Sequence, residues 1–175
     1  MDKITLLNYY NEFIIKQDYF ECHEIMEDSW KSKENFTKNL DEVFFIQVST
    51  AEYHYRRNNL YGAKKIYNRA VDRLNSRPID YNEYGLKSTI KNIIGNRLHN
   101  IDYVNFKPLQ LPLTDDMYRK LHSFAMPDVS YEEFLEYIKN LHKTSIMLVE
   151  KHRLRDRSEI INVRNANRLK KRRKD

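Results

Sequence analysis

Apolar residues recur at steps of three and four along most of the chain, and the breaks between those stretches mark out a succession of helices. Over residues 4–16, Ile4, Leu7, Tyr10 and Ile14 share a face with neighbouring Phe13. Gln17-Asp18 interrupts the pattern. Asp18 followed three residues later by Glu21 has the spacing of a capping box, so a second helix is predicted over residues 19–30. Residues 31–37 are polar and loop-like. A third helix is predicted over residues 38–57, with Leu40, Val43, Phe44, Gln47, Ala51 and His54 as its stripe. Asn58-Asn59 should stop it, because asparagine tolerates the left-handed conformation better than most residues. A fourth helix over residues 60–74 should bury Ala63, Ile66, Tyr67, Ala70 and Leu74, with Asn75-Ser76-Arg77-Pro78 closing it.

In the second half the periodicity is weaker. A fifth helix is predicted over residues 81–99 on Leu86, Ile90, Ile93, Ile94 and Leu98, although Gly85 and Gly95 each oppose it by up to ~1 kcal/mol. Residues 103–113 alternate apolar and polar, but Pro108 and Pro112 argue against a paired strand, which leaves an extended arm laid across the helices. A short helix follows over residues 115–124, ending near Pro127. Ser130 and Glu133 form a second capping box, which opens a long helix on Phe134, Tyr137, Ile138, Leu141, Ile146 and Val149. Beyond Arg153 the pattern dissolves. The expected architecture is therefore all-α. It is an antiparallel bundle of about five to six helices over residues 1–157, with a proline-containing arm and a basic, flexible tail over residues 158–175.

Composition agrees with helix. The 175 residues include only 3 glycines and 4 prolines. The net charge of +6 is lopsided: residues 151–175 carry 11 Lys/Arg against 3 Asp/Glu, which leaves the body close to neutral. The basic isoelectric point is thus a property of the C-terminus and not a nucleic-acid signature of the whole chain. The longest uncharged apolar-leaning run, residues 43–51, falls far short of the ~20 residues a bilayer requires, so no membrane insertion is expected. Met1-Asp2-Lys3 leads directly into an amphipathic segment, and Cys22 has no second cysteine to pair with. Both point to a cytoplasmic protein. The 13 tyrosines fit the composition of an AT-rich genome and are not by themselves a stacking surface. No glycine-rich phosphate loop, nucleophile elbow or zinc-ribbon cysteine pair occurs, which argues against the enzyme classes built on them.

One cluster carries chemistry. In the second helix, Phe20, His23, Glu27 and Trp30 fall within an arc of roughly 80°. The stripe of the third helix contains Gln47 and His54. His23 and Glu27 stand one turn apart, a spacing that lets two side chains hold one ion, and His54 could add a ligand from the neighbouring helix. A zinc or manganese ion there would generate a nucleophile from water near neutral pH, with Glu24 as the catalytic base. The alternative is a buried hydrogen-bonded network of His23, Glu27, Gln47 and His54 that fixes helix register with no ligand. Cys22 points about 100° away from His23 and reads as a small buried thiol. Tyr53, Tyr55, Arg56, Arg57, Tyr61, Lys64 and Lys65 interleave rings with cations as nucleic-acid surfaces do, and equally as solvated helix faces do. The stretch from Arg164 to Lys174 is the better candidate for nucleic acid, anionic lipid or another acidic partner. Self-association stays open.

At these residues the chain resembles the bacterial family known as domain of unknown function 309, often labelled a predicted metal-dependent hydrolase. The first motif, Y-F-E-x-H-E-x-x-E-x-x-W, is met by Tyr19, Phe20, Glu21, His23, Glu24, Glu27 and Trp30. The second, L-I-Q…H-x-x-R-G-N-x-x-G-A, is met by Ile46, Gln47, His54, Arg57, Asn59, Gly62 and Ala63, with Phe45 in place of leucine. The resemblance spans about residues 6–75. It implies a helical bundle packed around the His/Glu/Trp cluster, and it brings no demonstrated reaction. Two glycines of the pattern appear here as Phe44 and Asn58. The first substitution is expected to narrow any groove; the second is conformationally mild.

Overall fold

A computed structural model describes residues 1–151. Its helices are α1 (Lys3–Tyr10), α2 (Tyr19–Lys31), α3 (Glu42–Arg56), α4 (Leu60–Ser76), α5 (Ile90–Asn100), α6 (Asp115–Ala125), α7 (Tyr131–Asn140) and α8 (Ile146–Val149). Helix α1 runs on into a π-helical segment, Asn11–Lys16. Among the described residues there is no strand, and the sole β-type pairing is an isolated bridge between Leu86 and Leu113. The fold is all-α. Among the described residues no helix is long and apolar enough to cross a membrane.

Helices α2, α3 and α4 pack one upon the next and form the body that α1 and α5 complete. The core is strongly aromatic. Tyr9, Tyr10, Phe13, Tyr19, Phe44, Phe45, Tyr67 and Phe134 are all fully buried. Rings meet edge to face, as in Tyr9–Phe45 and Phe45–Tyr84 with centroids 5.3 and 5.1 Å apart, the geometry that aromatic quadrupoles favour. Two of the buried phenols find acceptors on the backbone: Tyr9 donates to the Phe45 carbonyl, and Tyr10 to that of Tyr84.

Several sequence expectations shift. The buried face of α1 is Leu6, Tyr9 and Tyr10, continued by Phe13 in the π-helical segment, whereas Ile4 is exposed. The wider π turn rotates residues after Tyr10, so that Ile14 and Ile15 are both buried. Helix α3 starts at Glu42, four residues later than its stripe suggested. Asn58 does take the left-handed conformation (φ 57°), and Asn59 then caps α4 through its side chain. Helix α4 buries the predicted residues, with Ile66 partly covered.

The expected helix over residues 81–99 loses its first half. Gly85 has φ +58°, and a Cβ there would lie 2.6 Å from Met117 Cε. The Thr114 N–H donates to the Gly85 carbonyl, and the Lys87 N–H donates to the Pro112 carbonyl. The backbone of residues 85–87 is thus spent on the arm, and α5 begins only at Ile90. The arm itself lies as expected across the helices, with Leu109, Leu111 and Leu113 buried in alternation.

The capping box at Ser130 and Glu133 is complete, yet the long helix it opens ends at Asn140. The Gln17 side-chain amide donates to the Leu141 carbonyl and its oxygen accepts from the Lys143 N–H, which holds the backbone extended there. Residues 141–151 therefore cross the body as a strap, anchored where Arg56 donates to the Leu148 carbonyl and where Lys151 bridges Asp18 and Glu21. The predicted tail, residues 158–175, lies outside the described residues.

Candidate functional site

Helix α2 begins where the Asp18 carboxylate accepts from the Glu21 N–H, as the capping pattern predicts. The reciprocal half of that box is absent: the Asp18 N–H donates to the Glu12 carbonyl, and Glu21 is engaged by Lys151. With its start fixed, α2 turns Tyr19, Cys22 and Met26 into the core and leaves His23, Glu24 and Glu27 half-buried along one edge. Burial pushes the Cys22 thiol well above its ordinary range, so it stays protonated and inert. Trp30 sits away from the cluster. Its indole N–H donates to the Thr37 carbonyl and its ring meets Phe36, which ties down the loop after α2.

The structure brings His23, Glu24 and Glu27 together, with one ligand atom from each lying within 4.8 Å of the others. His23 Nδ1 is 3.2 Å from Glu24 Oε1. A carboxylate accepts only, so Nδ1 carries the proton and Nε2 is the nitrogen with a lone pair. Glu27 also pairs with Lys31 one turn along. A nitrogen and a carboxylate, with the second carboxylate bracing the imidazole, are donors suited to zinc or manganese.

His54 faces the same cleft and is not in that set. The cleft, of about 250 Å³, is walled by Phe20, His23, Thr50, Tyr53, His54 and Arg57, so the start of α2 meets the end of α3 there. Asn59 fixes the tautomer of His54. Its Oδ1 accepts from the Gly62 N–H as the cap of α4, so its Nδ2 must face His54 Nδ1, 3.0 Å away. Nδ1 is therefore an acceptor, and the neutral ring is protonated at Nε2. A metal-ligating histidine instead donates from its second nitrogen to an outer acceptor, so His54 is not preset as a ligand.

Gln47 does not join these groups: its Oε1 is buried and accepts no hydrogen bond among the described residues. Phe44, where the family pattern has glycine, packs into the core against Phe45 and does not narrow the cleft. The alternation of rings and cations is a surface only in its second half, where Tyr61 and Lys65 are exposed. Tyr53 and Tyr55 are buried, Arg56 donates to the Gln17 and Leu148 carbonyls, and Arg57 is paired with Glu150.

A buried network does exist, apart from the cleft and built from residues that sequence reasoning missed. Glu52 is fully buried and takes Arg97 Nε at 2.6 Å and Nη2 at 2.8 Å, with further hydrogen bonds from the Tyr67 hydroxyl and the Leu109 N–H. Burial pushes the Glu52 carboxyl up, while Arg97, Tyr67 and Leu109 draw it back. Burial also opposes charge on Arg97, yet the Glu52 carboxylate more than offsets this and holds the guanidinium charged. The signal in the sequence was faint: Glu52 interrupts an apolar stretch of α3 exactly one turn after Val48, where a solvated charge would be out of place.

A helical body that carries an aromatic–His–Glu helix beside a small cleft defines the class of protein. Residues 6–66 match the sequence profile of the domain of unknown function DUF309. Over 160 residues the chain is 31% identical to the uncharacterized protein YpuF of Bacillus subtilis (strain 168), covering 90% of each chain. The protein belongs to the DUF309 family. No solved structure matches it.

Proposed function

We propose that the protein is a metal-dependent hydrolase whose α2 motif holds a divalent ion beside the α2–α3 cleft. The observation that carries this reading is the convergence of His23, Glu24 and Glu27 within 4.8 Å. A divalent ion bound there would lower the pKa of a coordinated water toward neutrality. His23 would ligate through Nε2, since Nδ1–H is directed at Glu24, and the Glu24 carboxylate orients the imidazole and raises its basicity. Glu27 completes the set. His54 has a different part: its neutral ring, held in the Nε2–H tautomer by the Asn59 amide, would donate a hydrogen bond to a bound molecule. Phe20 and Tyr53 form the apolar walls that exclude water from a bound molecule.

The test is calorimetric titration of zinc and of manganese into tag-free, chelator-stripped protein, together with Glu27→Gln and His23→Ala. One-to-one binding that both variants lose supports the reading. Wild-type protein that binds neither ion, or variants that bind as tightly as wild type, would retire it.

A further inference from the structure

The charged residue in the cleft wall already holds an anion that belongs to the chain. Arg57 donates from Nε to Glu150 Oε1 at 3.3 Å and from Nη2 to Oε2 at 3.1 Å, the two-pronged grip a guanidinium gives a carboxylate. The pair is looser than the buried grip of Arg97 on Glu52, where the contacts are 2.6 and 2.8 Å. Both side chains retain solvent access, 20% for Arg57 and 25% for Glu150. The guanidinium lies 5.2 Å from the centroid of the Tyr53 ring, which fixes its plane at the cleft. Glu150 itself arrives on the strap, just after the four-residue helix α8.

We propose that the cleft takes a small carboxylic acid with an apolar body, and that Glu150, which pairs with Arg57 without lining the cleft itself, competes with the ligand's carboxylate for that guanidinium. The inference rests on the cleft being the substrate site of the proposed hydrolase, and it does not depend on the ion. The volume of about 250 Å³ lies just under the ~300–1,000 Å³ typical of drug-sized ligand pockets, so the ligand is fragment-sized. Phe20 and Tyr53 receive its apolar body, and Arg57 receives its anionic end. His23, shared by the cleft wall and the α2 cluster, places the remaining end of the molecule beside the proposed ion. Binding then exchanges one carboxylate for another on Arg57 and releases the Glu150 side chain, while Leu148 and Lys151 keep the strap on the body. The strap thus acts as an internal competitor that sets a threshold for occupancy.

Phenylacetate is the probe, with benzyl alcohol as its uncharged counterpart, each titrated by ligand-observed NMR. Wild type should bind phenylacetate at least tenfold more tightly than benzyl alcohol. Glu150→Gln, a change at a half-exposed position, should tighten phenylacetate at least threefold by removing the competitor. Arg57→Gln should weaken it at least tenfold, while benzyl alcohol is unaffected by either change. The inference falls if phenylacetate fails to bind, if benzyl alcohol binds equally well, or if Glu150→Gln leaves phenylacetate affinity unchanged. Repeating the titration with chelator and with Glu27→Gln separates the two proposals. Phenylacetate binding that survives both, in a protein that takes up no metal, sinks the hydrolase reading alone; metal uptake without phenylacetate binding sinks only this one.

Discussion

Arg97 meets Glu52 along the guanidinium edge, inside a sleeve formed by the Tyr55 and Phe106 rings, whose centroids lie 4.9 and 5.4 Å from the guanidinium carbon. The pair joins α3 to α5 and holds the arm on both sides: Arg97 donates to the Lys107 carbonyl, and Glu52 accepts from the Leu109 N–H. It is the electrostatic centre of the fold, and it lies apart from the cleft.

Removing one partner of such a pair leaves an uncompensated buried charge. Arg97→Ala is expected to cost about 3–5 kcal/mol in urea unfolding. The double variant Glu52→Leu with Arg97→Met should recover part of that loss. A residual cost of about 1–3 kcal/mol is expected, because the Leu109 N–H and the Tyr67 hydroxyl lose their acceptor. A double variant as unstable as Arg97→Ala would show that the ion pair itself, and not the removal of its partner, holds the arm.

Glu42 gives the protein an acid-sensitive contact. Burial pushes its carboxyl up, but the Lys33 ammonium 2.5 Å away outweighs this, and the net shift is downward from 4.5. A lowered folded-state value means that the stabilisation is complete above the unfolded value and disappears as pH falls through the folded one. Glu42→Gln should therefore be less stable than wild type near neutrality. The difference in unfolding free energy between the two should close as the pH is taken below 4.5. A difference that stays constant down to pH 3 would show that the carboxylate charge does not matter.

Asn59→Asp keeps the cap of α4, since aspartate caps as well as asparagine, but replaces the N–H that faces His54 with an acceptor. The neutral imidazole should then move its proton from Nε2 to Nδ1. Long-range proton–nitrogen correlation spectra of the His54 ring read this directly, and an unchanged Nε2–H tautomer would contradict the role assigned to Asn59.

Asn58 stands at φ 57° between α3 and α4. Alanine pays the left-handed cost that glycine avoids, so Asn58→Ala should be about 1 kcal/mol less stable than Asn58→Gly by thermal unfolding. Equal stability of the two would mean that the turn relaxes out of the left-handed region.

Much of this could be read from the residues because local rules and packing agreed. Asp18 and Ser130 each cap a helix where their spacing says they should, and α4 has polar and apolar faces cleanly separated. The failures have physical causes. Helix α3 is covered on two sides, with Phe45, Val48 and Glu52 turned inward as well as Phe44 and Ala51, so a single-stripe reading finds half of its buried surface. A charge such as Glu52 looks like a solvent marker until Arg97, 45 residues away, is known to meet it. Gly85 and Gln17 end or divert helices through bonds to distant backbone, which no window of sequence contains. At the cleft, the pairing of His23 with Glu24 and Glu27 follows from spacing along one helix, whereas the role of Asn59 in setting the His54 proton depends on a turn geometry that only the folded chain reveals.

Gln17, itself left-handed at φ 55°, binds Arg56 through its carbonyl and residues 141 and 143 through its amide, partners 39, 124 and 126 positions away. Contacts of such long range close only after the helical hairpins have formed, because loop entropy must be overcome first. The strap is thus the last piece to assemble and the first to detach. Amide protons of residues 141–151 should exchange with solvent at lower free energy than those of α3 and α4, and a protease should find its earliest cut there.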